Sequence, residues 1–188
     1  MTMTNDTDAP WYAVMTRAGM EGKADADLRR QGFTTFYPFE RVRLRRKIPR
    51  QEKYLVTTVE RPLFSRYLFV MLRPGQAMRA INDTGSVSTV VYMGGAPLCI
   101  PPSVMDAIMA RADGRGLVQE RDEASAPARV PMAAGTRVKF AEHTPFSGLV
   151  AMVAADLGKS VKVVGAMFMG GCEINVDPAH IVPLAEPA

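Results

Sequence analysis

The first part of the chain alternates between strand-like and helical patterns of apolar residues. The run WYAVMTR, residues 11–17, is rich in aromatic and β-branched side chains and predicts a strand. Behind it, Met20, Ala24 and Leu28 recur at four-residue spacing, which places them on one face of a helix that Gly32 would end. Extended structure is predicted to resume at residue 34.

A basic segment follows between Arg41 and Lys53. It holds seven Lys or Arg residues and one acid, Glu52, and its basic positions alternate with Val42 and Leu44. A period of two is the pattern of a strand, so the segment predicts a projecting two-stranded basic ribbon. The next run, RPLFSRYLFVML at residues 61–72, is almost continuously apolar and predicts a central strand buried on both faces.

The pattern up to residue 116 completes an α+β domain. Residues 74–82 predict a short helix, and SVSTVVYMGG at residues 86–95 predicts a strand. A further helix would begin at Ser103 as its N-cap and bury Val104, Ala107 and Ile108. Residues 10–116 therefore predict an antiparallel sheet flanked by helices.

The remaining residues predict a linker and a second, all-β domain. Residues 117–134 have mixed charge, alanines and no periodicity, which is typical of a flexible linker. Between residues 135 and 184, five short strand-like runs are separated by Gly, Pro, Asp or Asn. Five short strands in about 50 residues predict a small β-barrel.

Charge divides the chain in the same way. Residues 1–117 carry 17 Lys or Arg and 11 Asp or Glu, a net charge of +6, whereas residues 118–188 carry 6 and 8, a net charge of −2. This asymmetry predicts two domains with different partners. The polar first ten residues do not resemble a signal peptide, and no apolar run reaches the ~18 residues of a membrane span. We expect a cytoplasmic monomer.

The sequence contains no catalytic constellation, so we expect no enzyme. It has no G-x-S-x-G motif, no Gly-Lys-Ser/Thr phosphate loop and no Cys–His arrangement. His143 and His180 have no cysteine or second histidine at ligand spacing, which argues against a metal. We expect no cofactor either.

The basic ribbon is the main candidate for chemistry. Cations on a projecting arm suit phosphates, which position a protein on nucleic acid without reading its sequence. A solvated charged face is the alternative interpretation. The candidate nucleic-acid-binding residues are Arg17, Lys23, Arg41, Arg43, Arg45, Arg46, Lys47 and Arg50.

Motifs in both parts of the chain resemble one family. WYAVMTRAGMEGKADADL, the basic hairpin and RPLFSRYLFV resemble the N-terminal domain of NusG-type transcription elongation factors. GTRVKFAEHTPFSGLVAMV resembles a KOW motif. The resemblance covers nearly the whole chain and implies an α+β NGN domain followed by an SH3-like KOW barrel.

The resemblance also implies a function and partners. The NGN domain would bind the clamp helices of the largest RNA polymerase subunit, contact upstream or non-template DNA, and suppress pausing or termination. The apolar patch that receives the clamp helices would comprise Trp11, Met15, Phe64, Tyr67, Phe69 and Ile108. Phe64 and Tyr67, at the turn into the apolar strand, are the stronger candidates for surface contact.

The KOW domain would recruit Rho or the ribosomal protein NusE, with Pro145, Phe146 and Gly148 as candidate contacts. PLFSRYLFV is similar to the pattern of the specialised RfaH-type branch, although Ser65 replaces the usual proline. RfaH-type proteins cover their polymerase-binding face with a helical C-terminal domain. Here the β-branched SVKVVGAMF predicts strands instead. The alternative to this whole interpretation is a stand-alone KOW-type RNA-binding or ribosome-associated protein.

Overall fold

The computed structural model describes residues 9–50, 52–122, 130–142, 144, 146–165 and 173–184. The strands are β1 (Trp11–Thr16), β2 (Thr34–Phe36), β3 (Phe39–Lys47), β4 (Tyr54–Pro62), β5 (Tyr67–Met71), β6 (Val87–Val90), β7 (Tyr92–Met93), β8 (Ala96–Pro97), β9 (Cys99–Ile100), β10 (Leu117–Asp122), β11 (Arg137–Phe140), β12 (Val150–Asp156), β13 (Val161–Gly165), β14 (Glu173–Val176) and β15 (Ile181–Pro183). The helices are α1 (Glu21–Arg30), α2 (Met78–Asn82) and α3 (Pro102–Met109), and Pro178–His180 form a 3₁₀ turn. No helix of the described segments is long and apolar enough to cross a membrane.

The N-terminal sheet has the strand order β2-β5-β1-β6, and β9 also pairs with β1. All five residues of β5 are buried, as its continuous apolar run predicts. Alternate residues face opposite sides of a sheet, so Leu68 and Val70 pack in one cluster, whereas Phe69 and Met71 pack in another. Burial on both faces explains why β5 lacks a polar face.

Helices cover both faces of this sheet. Ala24 and Leu28 of α1 and Ile81 of α2 are fully buried in the cluster that contains Leu68. On the opposite face, α3 buries Met105 and Ile108 in the cluster that contains Phe69.

The predicted N-cap of α3 is wrong, and its predicted core face is correct at two of three positions. The helix begins at Pro102, where a proline in the first turn loses no hydrogen bond, so Ser103 lies inside the helix and makes no cap. Of the predicted core residues, Ile108 is buried and Val104 packs half-buried against the same cluster. Met105 is buried in place of Ala107, which is exposed.

A two-stranded basic ribbon forms, but its second strand, β4, begins at Tyr54, after the segment Arg41–Lys53 that was predicted to hold both strands. Strands β3 and β4 pair in antiparallel register from Phe39 opposite Pro62 to Lys47 opposite Tyr54. The other edge of β3 pairs in parallel with β10. The prediction of a flexible linker beginning at residue 117 is therefore wrong over Leu117–Asp122, because those residues belong to the ribbon sheet.

Each of the five predicted C-terminal runs contains a strand. The strand order is β14-β13-β12-β11-β15, and every neighbouring pair is antiparallel. We call these five strands the C-terminal sheet. Its buried side chains alternate along the strands, as in Val161 and Val163 of β13, and join the cluster that contains Phe69 and Ile108. The two parts of the chain thus share one apolar cluster.

Candidate functional site

The aromatic contact between the two parts of the chain centres on Phe64. Its ring centroid lies 4.2 Å from that of Phe146 and 6.1 Å from that of Phe140, both in the C-terminal part. On its other side, Phe64 makes an edge contact with Phe69 of β5 at 6.4 Å. Phe64 and Phe146 are each 1% exposed. Since aromatic pairs of this kind contribute ~0.5–1.5 kcal/mol beyond the area they bury, the cluster stabilises docking of the C-terminal sheet.

Backbone and hydroxyl hydrogen bonds flank the aromatic cluster. The hydroxyl of Tyr67 donates to the carbonyl of Glu173 at 3.3 Å. Ser65 and Asn175 form an isolated antiparallel bridge, in which the Ser65 amide donates to the Asn175 carbonyl at 3.4 Å. Ser65, in the turn before β5, and Tyr67, the first residue of β5, thus both contact β14. The turn that the sequence assigned to polymerase contact is therefore covered by the C-terminal sheet.

A buried polar network forms the second contact between the C-terminal sheet and the rest of the chain. The Glu40 carboxylate of β3, 1% exposed, accepts two hydrogen bonds from Arg121 of β10, at 2.7 and 2.8 Å. It also lies 3.1 Å from Nε2 of His180, in the 3₁₀ turn before β15, and accepts from Gln119 at 3.0 Å. Arg121 donates further to Asp177 at 2.9 Å. The network therefore ties the ribbon sheet to the C-terminal sheet.

The electrostatics of Glu40 follow from these partners. Burial alone raises the pKa of its carboxyl group, but the hydrogen bonds from His180 and Arg121, with their charges, hold that pKa well below its usual range. The same carboxylate raises the pKa of Arg121. Breaking such a buried pair on one side is costly, because the remaining charge is left without its partner.

The other predicted polymerase-contact residues lie deeper. Trp11, Phe69 and Ile108 are at most 3% exposed and belong to the cluster beneath the interface, while Met15 is half-buried against it. In this docked arrangement the six predicted residues do not form a surface patch that a partner could contact. Phe64 and Tyr67 are the two that contact the C-terminal sheet directly.

The basic ribbon is the exposed candidate site. At its base, Arg41 pairs with Glu60 at 3.4 Å and with Glu120 at 3.3 Å, and Arg43 lies 3.7 Å from Glu120. These carboxylates neutralise the inner half of the ribbon. Toward the tip, the exposed cations are Arg45, Arg46, Lys47 and Arg50.

Two further predicted cations lie outside the ribbon. Arg17 is exposed just after β1, and Lys23 is exposed on α1, where its ammonium group pairs with Asp27 at 2.9 Å. The structure thus places these two cations on other elements than the ribbon.

The predicted partner site of the C-terminal sheet is partly hidden. Phe146 is buried against Phe64 and Phe140, so it faces the interface. Gly148 is exposed and has a φ of 82°, a left-handed conformation that favours glycine. Pro145 and His143 lie outside the described residues.

The interface residues that the sequence did not predict are Glu40, Gln119, Arg121, Asp177 and His180. Glu40 occupies a buried position in a basic strand, and the other four lie 79 to 140 residues away. Their proximity depends on how two sheets meet, for which no local pattern is available. Among the described residues, no group of His, Cys, Asp or Glu could hold a metal ion.

In this fold the C-terminal sheet meets the N-terminal sheet through an aromatic contact and meets the ribbon sheet through a charged network. A family model described as transcription termination factor nusG matches residues 9–109, more than half of the 188 residues. The chain therefore belongs to the NusG family of transcription factors.

Three known proteins illustrate what the chain is similar to. The transcription termination/antitermination protein NusG of Thermus thermophilus is 25% identical over 187 residues, which cover 92% of this chain and 97% of the relative. A solved structure described as domain interaction in Thermotoga maritima NusG is 19% identical, covers 94% of this chain and 97% of its own, and has a TM-score of 0.46. A crystal structure of the MjSpt4:Spt5 complex is 12% identical, covers 94% and 99% of the two chains, and has a TM-score of 0.28.

Proposed function

We propose that this chain is a transcription elongation and antitermination factor that binds the clamp helices of the largest RNA polymerase subunit. Family membership supports the general role. The observation that carries the proposal is the position of Phe64 and Tyr67, at the boundary between the N-terminal sheet and a second sheet. Buried aromatic side chains at such a boundary can become binding hot spots when the covering sheet moves away.

The docked arrangement limits this binding. Phe64 is 1% exposed and Tyr67 is 9% exposed, so clamp helices reach them only after the C-terminal sheet has separated. The apparent affinity for polymerase is then the affinity of the open form multiplied by its population. Because Phe146 is buried in the same contact, separation also exposes the predicted partner site of the C-terminal sheet.

The remaining parts take the roles that the family resemblance implies. The N-terminal part acts as an NGN domain, with the basic ribbon, Arg17 and Lys23 on upstream or non-template DNA. The C-terminal sheet acts as a KOW domain that binds Rho or NusE through Pro145, Phe146 and Gly148. Within this proposal, the similarity of PLFSRYLFV to the RfaH-type pattern supports a specialised rather than a general factor.

A nuclease-treated pull-down with purified RNA polymerase tests the clamp contact. Substituting Phe64 alone both removes a contact and loosens docking, so its effects would be mixed. We therefore compare Glu40→Gln, which weakens the interface away from the aromatic patch, with the double variant Glu40→Gln/Phe64→Ala. Glu40→Gln should retain more polymerase than the unmodified chain, and the double variant should retain less than Glu40→Gln.

The control for the pull-down is Glu40→Gln/Tyr92→Ala, because Tyr92 is a half-exposed aromatic residue on β7 outside the interface. This control should bind polymerase as Glu40→Gln does. Equal retention by all variants, or retention of ribosomal subunits instead of polymerase, would overturn the proposal. The second result would favour the stand-alone RNA-binding function. Transcription on a pause-containing template, with and without the protein, then tests the effect on elongation.

A further inference from the structure

The outer half of the ribbon combines unneutralised cations with an exposed aromatic side chain. Directly opposite residues of an antiparallel pair share one face, so Arg45 and Lys47 lie on the same face as Tyr54 and Val56. Alternate residues along a strand are about 6.7 Å apart. The two cations thus form a row along one edge of this face, beside the row formed by the two β4 residues.

Charge distinguishes the outer half of the ribbon from its base. Arg41 and Arg43 lie against Glu60 or Glu120, whereas Arg45 and Lys47 have no carboxylate within 4 Å among the described residues. From residue 45 to residue 54 the chain has five Lys or Arg and one acid, Glu52. The outer half therefore keeps its positive charge for an external partner.

The apolar side chains of β4 are unusually exposed. Tyr54, Leu55 and Val56 are 48%, 56% and 60% exposed, and within the described part of the chain no other three consecutive large apolar residues are all exposed. The guanidinium of Arg45 lies 4.1 Å from the Tyr54 ring centroid. That contact holds the ring beside the cation row.

We propose that this outer half binds single-stranded nucleic acid, with Arg45 and Lys47 on its phosphates and the Tyr54 ring stacked on a base. The inference rests on the proposed assignment of the ribbon to nucleic acid, and it specifies the form that is bound. A site that contacts only phosphates would bind a duplex equally well. Stacking on a side chain requires an unpaired base, whose face a duplex keeps inside its own stack.

Fluorescence anisotropy of the full chain with a labelled single strand of about 12 nucleotides tests this inference without polymerase. A duplex of the same sequence is the matched ligand. Tyr54→Ala should weaken single-strand binding by roughly 5- to 150-fold, the range expected for one lost base–aromatic stack, and should leave duplex binding nearly unchanged. Tyr54→Phe should retain single-strand binding, because the ring remains.

Control variants separate stacking from charge. Tyr92→Ala removes a tyrosine that is 50% exposed on β7 and should change neither affinity. Lys47→Ala should weaken both ligands and reduce the salt dependence of binding by about one phosphate contact. The stacking role would be overturned if Tyr54→Ala lost affinity for the duplex and for the single strand to the same extent. It would also be overturned if Tyr54→Ala lost affinity for neither.

The outcome is separable from that of the proposed function. Polymerase retention by Tyr54→Ala should match that of the unmodified chain, because Tyr54 is exposed and lies opposite Lys47 at the outer end of the ribbon. If polymerase is never retained but Tyr54 still controls single-strand binding, the proposed polymerase contact fails and the ribbon inference stands. If polymerase binding follows Phe64 while Tyr54→Ala changes nothing, only the ribbon inference fails.

Discussion

The ring centroid of Phe64 lies 4.2 Å from that of Phe146, although the two residues are 82 positions apart and lie in turns beside different sheets. A double-mutant cycle should therefore give a favourable coupling of ~0.5–1.5 kcal/mol between them. The readout is ¹⁵N relaxation, since docked sheets tumble as one body and separated sheets tumble faster. Val182→Ala, at an exposed position of β15, is the control. Additive effects of Phe64→Ala and Phe146→Ala on docking would contradict a direct contact.

The Glu40 network should matter more than the surface ion pairs on the same ribbon. Glu40→Gln keeps the side-chain shape but removes the charge that faces Arg121 and His180, and breaking a buried pair in this way costs ~3–5 kcal/mol. Glu60→Gln is the matched control, because Glu60 pairs with Arg41 at the surface and such pairs contribute at most ~1 kcal/mol. Chemical denaturation measures both. Similar losses in the two variants would show that the burial of Glu40 is energetically unimportant.

Acid should weaken the folded, docked state through Glu40. Its pKa is held below the usual range in the folded chain, whereas an unfolded glutamate titrates near ~4.3. The stabilisation is therefore complete above the unfolded value and is lost as the pH falls toward the folded value. Asp27 and Asp113, whose pKa values are also lowered, are unchanged in Glu40→Gln, so their contribution cancels in a comparison of the two chains.

The measurement is the free energy of unfolding of the unmodified chain and of Glu40→Gln between about pH 7 and pH 3. The difference between the two chains should be constant near neutral pH and should shrink as the pH falls below the unfolded pKa of glutamate. A difference that stays constant over the whole range would mean that the Glu40 carboxylate is not selectively stabilised in the folded chain.

The turn before β5 contains a strained residue. Arg66 has a φ of 72°, a region that costs a non-glycine residue ~1–2 kcal/mol. Arg66→Gly should raise the free energy of unfolding by up to ~1 kcal/mol, because relief of this strain exceeds the entropic cost of glycine. Arg73→Gly, on the other side of β5, is the comparison and should not stabilise. If Arg66→Gly destabilises the chain, the hydrogen bond from Arg66 Nε to the Thr16 carbonyl outweighs the strain.

Local patterns predicted the elements of this fold better than their assembly. The alternation of Val42 and Leu44 with cations was sufficient to predict the ribbon, and the continuous apolar run was sufficient to predict β5. The same alternation could not show that β10 would pair with β3, because the only apolar residues of Leu117–Asp122 are the adjacent Leu117 and Val118, which do not alternate with polar ones. Strand β10 pairs with β3 because the free backbone edge of β3 is available to it and because Arg121 hydrogen-bonds to Glu40.

The candidate site was likewise predictable from sequence only in part. The exposed cations of the ribbon could be listed from sequence because charge alone predicts exposure. Whether Phe64 was core or surface could not be predicted, since both environments favour an aromatic residue. Its partner Phe146 lies between β11 and β12, and the docking of the C-terminal sheet also involves His180 and Glu40, which are far apart in the chain.

Gly116 should be essential for placing β10 beside β3. Its φ is 94°, and a Cβ atom added there would lie 2.2 Å from the Tyr37 carbonyl oxygen. The Gly116 carbonyl also accepts a hydrogen bond from the Phe39 amide at 3.0 Å, so the chain cannot move away without breaking the start of β3. Gly116→Ala should lower the free energy of unfolding by ~2–4 kcal/mol.

Gly114→Ala is the matched control for Gly116, because a Cβ atom there meets nothing within 4 Å and its φ is not left-handed. This control should change the free energy of unfolding by less than ~1 kcal/mol. Hydrogen exchange gives a second readout, in which Gly116→Ala should lose protection at Phe39 and along β10 before the C-terminal sheet does. Equal effects of the two substitutions would show that the close approach to Tyr37 does not hold β10 in place.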